Sequence, residues 1–115
     1  LAITVDKGKQ QVTFQTVDPK TKKPMKDWYM FNEKAQTLSW HKWVSAMGQA
    51  FDYTFSLTTH KMTKIKDFHH NDITPQVKQM GFWKPAQDST SDAEKRLAKY
   101  FKNRYGMTIK QAASA

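Results

Sequence analysis

Apolar and polar positions alternate at the start of the chain. Ile3 and Val5 are followed by the turn signal Asp6-Lys7-Gly8-Lys9, and alternation resumes at Val12, Phe14 and Thr16. β-branched residues flanking a short glycine-containing turn predict a β-hairpin. The aromatic run 28-WYMF-31 follows a proline-bounded loop and predicts a third strand, antiparallel to the second. After 32-NEKAQT-37 the pattern changes. Trp40, Trp43, Val44, Met47 and Phe51 recur in steps of about three and four, with His41, Lys42, Ser45 and Gln49 between them, which predicts an amphipathic helix capped by Thr37 or Ser39.

In the second half, Tyr53, Phe55 and Leu57 alternate as in a strand, while Met62, Ile65 and Phe68 step by three. This predicts a strand to about residue 57 or 58, then a short helix to about residue 69. Thr74 with Pro75 opens, and Gly81 closes, a two-turn helix over 75-PQVKQM-80, followed by an extended exit 82-FWKP-85 and a polar linker 86-AQDSTSD-92. Ser91 and Glu94 form a capping box for a helix over 91–106 that ends at Gly106. Ala93, Leu97, Tyr100 and Phe101 share one face of it, and Lys95, Lys99 and Lys102 lie nearly opposite. The tail 107-MTIKQAASA-115 begins another turn capped by Thr108 and frays at its end.

These elements predict one small α+β domain over 1–115, with a hairpin or three-stranded sheet and three to four short helices. Residues 1–31 are mainly β, 37–85 mixed helix and strand, and 91–106 a basic amphipathic helix. At 38% hydrophobic and 13% aromatic content, 115 residues suffice for one compact core. The absence of cysteine removes disulfides, cysteine-ligated zinc and thiol nucleophiles, and is compatible with a reducing cytoplasmic compartment. No apolar run approaches a membrane span, so no membrane partner is expected. The first residue is Leu1 rather than Met, as in a trimmed or processed chain, which leaves a secreted form open.

Charge changes the picture most. Lys and Arg number 19 against 10 Asp and Glu, a net +9, which favours a polyanionic partner. Only Arg96 and Arg104 are arginines. Lysine is a point charge without the planar fork that reads guanine, so the balance predicts phosphate contacts over base readout. Three groups are candidate nucleic-acid contacts. Lys20, Lys22, Lys23 and Lys26 crowd the loop between the second and third strands, stiffened by Pro19 and Pro24. Lys61, Lys64 and Lys66 precede two predicted helices over 62–80, laid out like a helix-turn-helix with Gln76 and Lys78 on the second. Lys95, Arg96, Lys99 and Lys102 line the last long helix. In outline only, a lysine-tipped hairpin beside paired helices resembles winged-helix modules.

His69 and His70 are adjacent, with Asp67 and Asp72 around them, but metal-ligand spacing is lacking and no phosphate-cradling glycine loop or nucleophile triad occurs. No cofactor, metal or catalytic residue is expected; a His/Asp metal-dependent enzyme is the least favoured reading. Trp28, Tyr29, Phe31 and Trp83 are candidates to stack exposed bases on a sheet, and Trp28, Tyr29 and Trp83 to form a protein-binding patch; Trp28 and Trp83 are read first as core residues, and Trp40, Trp43, Met47 and Phe51 are expected in the core. The sequence thus predicts a DNA-binding accessory or regulatory protein, of plasmid or phage type, that holds double-stranded DNA through phosphates; a protein-interaction module is the alternative.

Overall fold

The computed structural model describes residues 2–6, 8, 11–17, 20–44 and 46–114, the side chains of 2, 3, 5, 14–17, 24–26 and 112–114 excepted. Six strands come first: β1 (Ala2–Asp6), β2 (Gln11–Val17), β3 (Pro24–Asn32), β4 (Thr37–Val44), β5 (Gln49–Ser56) and β6 (Met62–Lys66). Three helices follow: α1 (Thr74–Gln79), α2 (Trp83–Tyr105) and α3 (Ile109–Ser114). The strands form one antiparallel sheet in chain order, a meander in which every strand pairs with its neighbour in sequence. The α+β class is as expected, with more strands than the hairpin or three-stranded sheet and the further strand to about residue 57 or 58 that were expected.

The extra strands come from residues 37–66. The segment expected to be a helix over 40–51 is the β4–β5 hairpin, with Trp40 opposite Tyr53 and Leu38 opposite Phe55. Its three- and four-residue steps run across a turn, where Gly48 takes the left-handed φ of 64° that glycine allows at little cost. Leu38 and Trp40 face the core, while Trp43 is 46% and Met47 60% exposed, so only part of the expected apolar stripe is interior. Residues 62–66 form β6 rather than a helix, with a register shift at Thr54/Phe55 that puts Met62 and Ile65 into the core. With a strand before α1, the expected helix-turn-helix over 62–80 is not formed. The lysine-tipped β2–β3 hairpin belongs to the meander rather than standing apart as a wing.

The outer edge of β6 is closed by its own chain. The Ile65 N–H donates to Thr74 Oγ1 at 3.0 Å, and the Ile65 carbonyl accepts from the Ile73 N–H at 2.9 Å. At Ile65 the backbone groups that would recruit another strand are therefore occupied. α1 keeps its expected place, and Gly81, at φ 77°, separates it from α2.

α2 begins eight residues before the expected Ser91, at Trp83. Pro85 is tolerated because a first-turn residue has no intrahelical N–H bond to lose. The polar stretch 86–92 is helical because its interior positions are small: Ala86 packs against the core and Thr90 is buried, its hydroxyl donating to the carbonyls of Ala86 and Gln87. Thr90, Ala93, Leu97 and Phe101 then form one stripe at spacings of three and four. It packs on Val12, Tyr29, Phe31, Leu38, Trp40, Phe55, Met62 and Ile65 from the sheet. α2 ends at Gly106 (φ 64°), as the sequence predicts. α3 starts with a reciprocal cap in which Gln111 N–H donates to Thr108 Oγ1 and Thr108 N–H to Gln111 Oε1.

A buried carboxyl and a half-buried ammonium lie near this interface. Asp27 is 5% exposed, and Oδ1 has no hydrogen-bond partner among the described residues. Burial raises its pKa, against lowering contributions from the Trp43 backbone, Lys42 and the Trp40 indole. Burial lowers the Lys42 pKa, countered by Asp27; its ammonium lies over Trp40 and donates to Ser89 Oγ on α2 at 3.0 Å. The Lys42–Ser89 hydrogen bond ties β4 to α2, at the cost of partly desolvating the ammonium.

Two measurements check this arrangement. Leu97→Ala should lower unfolding stability by about 2–5 kcal/mol in urea titration, whereas Lys95→Ala on the outward side should change it by less than about 0.5 kcal/mol. Because the Asp27 carboxyl titrates above its ordinary 3.8 in the folded state, its contribution is present near and below pH of about 4 and is lost as pH rises through the raised value. The urea midpoint of Asp27→Asn relative to the parent should therefore rise between pH of about 4 and 7.

Candidate nucleic-acid interface

All three helices follow β6, and the core they cover lies on one face of the sheet. On the other face, called bare below, no helix packs among the described residues. Alternation assigns to it Thr13 of β2; Trp28, Met30 and Asn32 of β3; Thr37, Ser39, His41 and Trp43 of β4; Asp52 and Thr54 of β5; and Lys64 and Lys66 of β6. An antiparallel sheet solvated on one side normally carries small polar residues there. This one carries two tryptophans and a methionine, with Met30 51% exposed.

The centre of the face is built by cross-strand pairing. Trp28 lies opposite His41 in register, and the two rings stack at 4.0 Å with an interplanar angle of 13°. His41 Nδ1 is 2.7 Å from Asp52 Oδ1 on the neighbouring strand, which fixes the imidazole from the other side. Ser39 and Thr54 hydroxyls meet at 3.3 Å. Lys66 pairs in register with Asp52, and His70 Nδ1 lies 4.0 Å from Asp52 Oδ2, its backbone left-handed at φ 67°. Together these residues line an open concavity of about 660 Å³ with an aromatic floor and hydroxyl, carboxylate and ammonium groups at its margin.

No family model, curated protein or solved structure matches the chain. The reading therefore rests on the geometry of this face and its surroundings.

The residues expected to bind nucleic acid divide among separate surfaces. Lys64 and Lys66 are on the bare face, at its β6 edge. Lys20, Lys22 and Lys23 are exposed on the β2–β3 hairpin, where Lys22 has φ 60°; the Lys26 side chain lies outside the described residues. Lys61 is exposed in the β5–β6 turn, and Gln76 and Lys78 are exposed on α1, with the Lys78 ammonium 4.6 Å from the Trp83 ring centroid. Lys95, Arg96, Lys99 and Lys102 are exposed on α2, on the far side of the molecule from the bare face.

Of the proposed stacking residues, Trp28 alone belongs to the bare face. Tyr29 and Phe31 alternate inward and are buried, and Trp83 packs half-buried against the core. The acidic groups around His69 and His70 brace a loop instead of facing a ligand. Asp67 accepts the His69 and Asn71 N–H groups, with Asn71 holding its carboxyl below the usual range. Hydrogen bonding from Thr74, with Lys64 and Lys66 nearby, does the same for Asp72. Among the described residues no group of three His, Asp or Glu side chains is placed to hold a metal ion. No described helix is long and apolar enough to cross a membrane.

Sequence reasoning missed His41, Asp52, Trp43 and Met30. The available signal was the alternation Leu38/Trp40 against Thr37/Ser39/His41, a two-residue period obscured by Trp43.

Asp52→Ala tests the construction of this centre. It should free the His41 ring, so that its proton resonances lose the upfield shift imposed by the Trp28 indole, while stability falls by only about 1 kcal/mol or less because the pair is partly solvated.

Proposed function

We propose that this protein binds nucleic acid, and that the bare face of the sheet takes a single-stranded segment. One observation carries the reading: aromatic side chains stand on a solvent-facing, helix-free sheet surface with lysines at its margin. Unpaired bases offer flat apolar faces that stack on such a platform, while their phosphates seek cations at the edge. Trp28 is held by its stack on His41, itself fixed by Asp52, before any ligand arrives, so little ordering is required when a base meets the indole. Met30 and Trp43 extend the platform along β3 and β4. Lys64 and Lys66 flank it, and the Lys20, Lys22 and Lys23 hairpin prolongs the cationic margin.

A duplex hides its base faces inside the stack, so this surface favours a single strand over the double-stranded DNA expected from charge alone. The chemistry is that of a binding protein rather than an enzyme: Asp52 and His41 are spent on each other and on holding Trp28. A role as an accessory or regulatory factor of a mobile element fits a small basic domain of this kind. The alternative, a protein-interaction module, would use Trp28, Met30 and Trp43 as its apolar centre.

Fluorescence anisotropy with a labelled single strand of mixed sequence decides between them. Trp28→Ala should weaken binding by about 10- to 100-fold, the loss of one stacked base. Replacing Lys20, Lys22 and Lys23 by Ala should make the slope of log affinity against log salt shallower by up to about 2. Absence of binding at low salt would exclude the nucleic-acid reading and leave the protein partner.

A further inference from the structure

One flank of α2 carries a second cationic surface, separate from the bare face of the sheet. Both arginines of the chain, Arg96 and Arg104, are on it, and with Lys99, Tyr100 and Asn103 they line one shallow concavity of about 480 Å³. Lys95 and Lys102 are exposed farther around the same helix, Lys102 in a separate concavity beside Glu94 and Ala98. From residue 95 to residue 104 the helix rises by about 14 Å, so five cations stand over little more than two turns. Among the described residues none of them pairs with a carboxylate. The nearest acidic positions on α2 are engaged elsewhere or stand apart: Glu94 turns inward to His60, Asp88 pairs with Lys84, and Asp92 forms no ion pair with Lys95 or Arg96.

Arginine matters here because its planar guanidinium grips a phosphate through two parallel N–H bonds, which lysine cannot do. In a chain with 19 basic residues and only two arginines, both arginines meeting in one concavity with a phenol and an amide as further donors is the composition of a phosphodiester site. The stripe Thr90, Ala93, Leu97 and Phe101 is pressed on the sheet. Arg96 and Arg104 flank that stripe, Arg104 seven residues after Leu97 on the same side of the helix, so the arginine surface lies in the helix layer and the bare face on the other side of the sheet.

We propose that the Arg96/Arg104 surface of α2 is a second, independent nucleic-acid site that grips the phosphate backbone of a separate segment, so that one molecule joins two segments through its opposite sides. This rests on the sheet-face reading for the first segment. A strand of about four nucleotides, at the short end of the site sizes of single-strand-binding folds, is too short to pass around a molecule 23 Å across its thinnest direction and occupy both sides.

Native mass spectrometry of the full chain with such an oligonucleotide, and separately with a short hairpin duplex, reads the number bound per protein. Wild type should form a complex of one protein with two oligonucleotides. An Arg96→Gln/Arg104→Gln double variant, folded by circular dichroism, should stop at one, with single-strand affinity on the sheet changed by less than about twofold. Adding the duplex to the strand-loaded protein identifies which form the second site prefers. Wild type that saturates at one oligonucleotide, or a double variant that still binds two, overturns the second site and leaves the sheet-face reading intact. If Trp28→Ala binds as wild type does while the double variant binds nothing, the sheet-face reading fails, and with it the joining of two segments.

Discussion

The structure depends on how one side of a six-stranded sheet is kept from water. A sheet of this width presents two faces, and a chain of this length supplies only one long helix to cover them. α2 lays Thr90, Ala93, Leu97 and Phe101 across the apolar face, where Val12, Tyr29, Leu38, Trp40, Phe55 and Ile65 converge from five strands. That docking sets the sidedness of every strand, since a slip of one residue would exchange interior and exterior positions. It also fixes what the other side is: a surface that must be solvated or taken up by a partner.

Polar groups reinforce this choice of side. Lys42 points inward on β4 and donates to Ser89 of α2, with the buried Asp27 on the adjacent strand, so polar groups lie where a purely hydrophobic contact would have been less demanding. On the outside, His41 and Asp52 use the next positions of the same strands to hold Trp28. Neighbouring residues of β4, His41 and Lys42, thus serve opposite faces: one prepares a binding platform and the other fastens the helix behind it.

Much of the fold was legible where a single period was undisturbed. β1 to β3 follow from alternation and turn chemistry, α1 from Thr74-Pro75 and Gly81, the C-terminal half of α2 from its stripe and Gly106, and α3 from Thr108. Residues 40–51 defeated the reading because Trp40, Trp43, Met47 and Phe51 mimic a helical stripe while lying on two strands and both faces. Residues 86–92 did so because Ser, Thr and Asp have low helix propensity, and tertiary burial of Ala86 and Thr90 outweighs it. Of the candidate site, Trp28 and the lysines were visible as residue types. Their division among three surfaces was not, because it depends on the register of β4, β5 and β6, the strands the pattern disguised.

The order of elements has a consequence for biosynthesis. In a meander each strand pairs with one already made, so the sheet can assemble from the N-terminus as the chain lengthens, with short loops to close. Its cover is encoded last, beginning only at Trp83. On the ribosome, a nascent sheet would display Tyr29, Leu38, Trp40 and Phe55 until α2 emerges, an interval in which an apolar surface invites aggregation or a chaperone. The closed edge at Ile65 and Thr74 forms before that cover arrives, and it denies a neighbouring nascent chain the β6 side of the sheet during the wait.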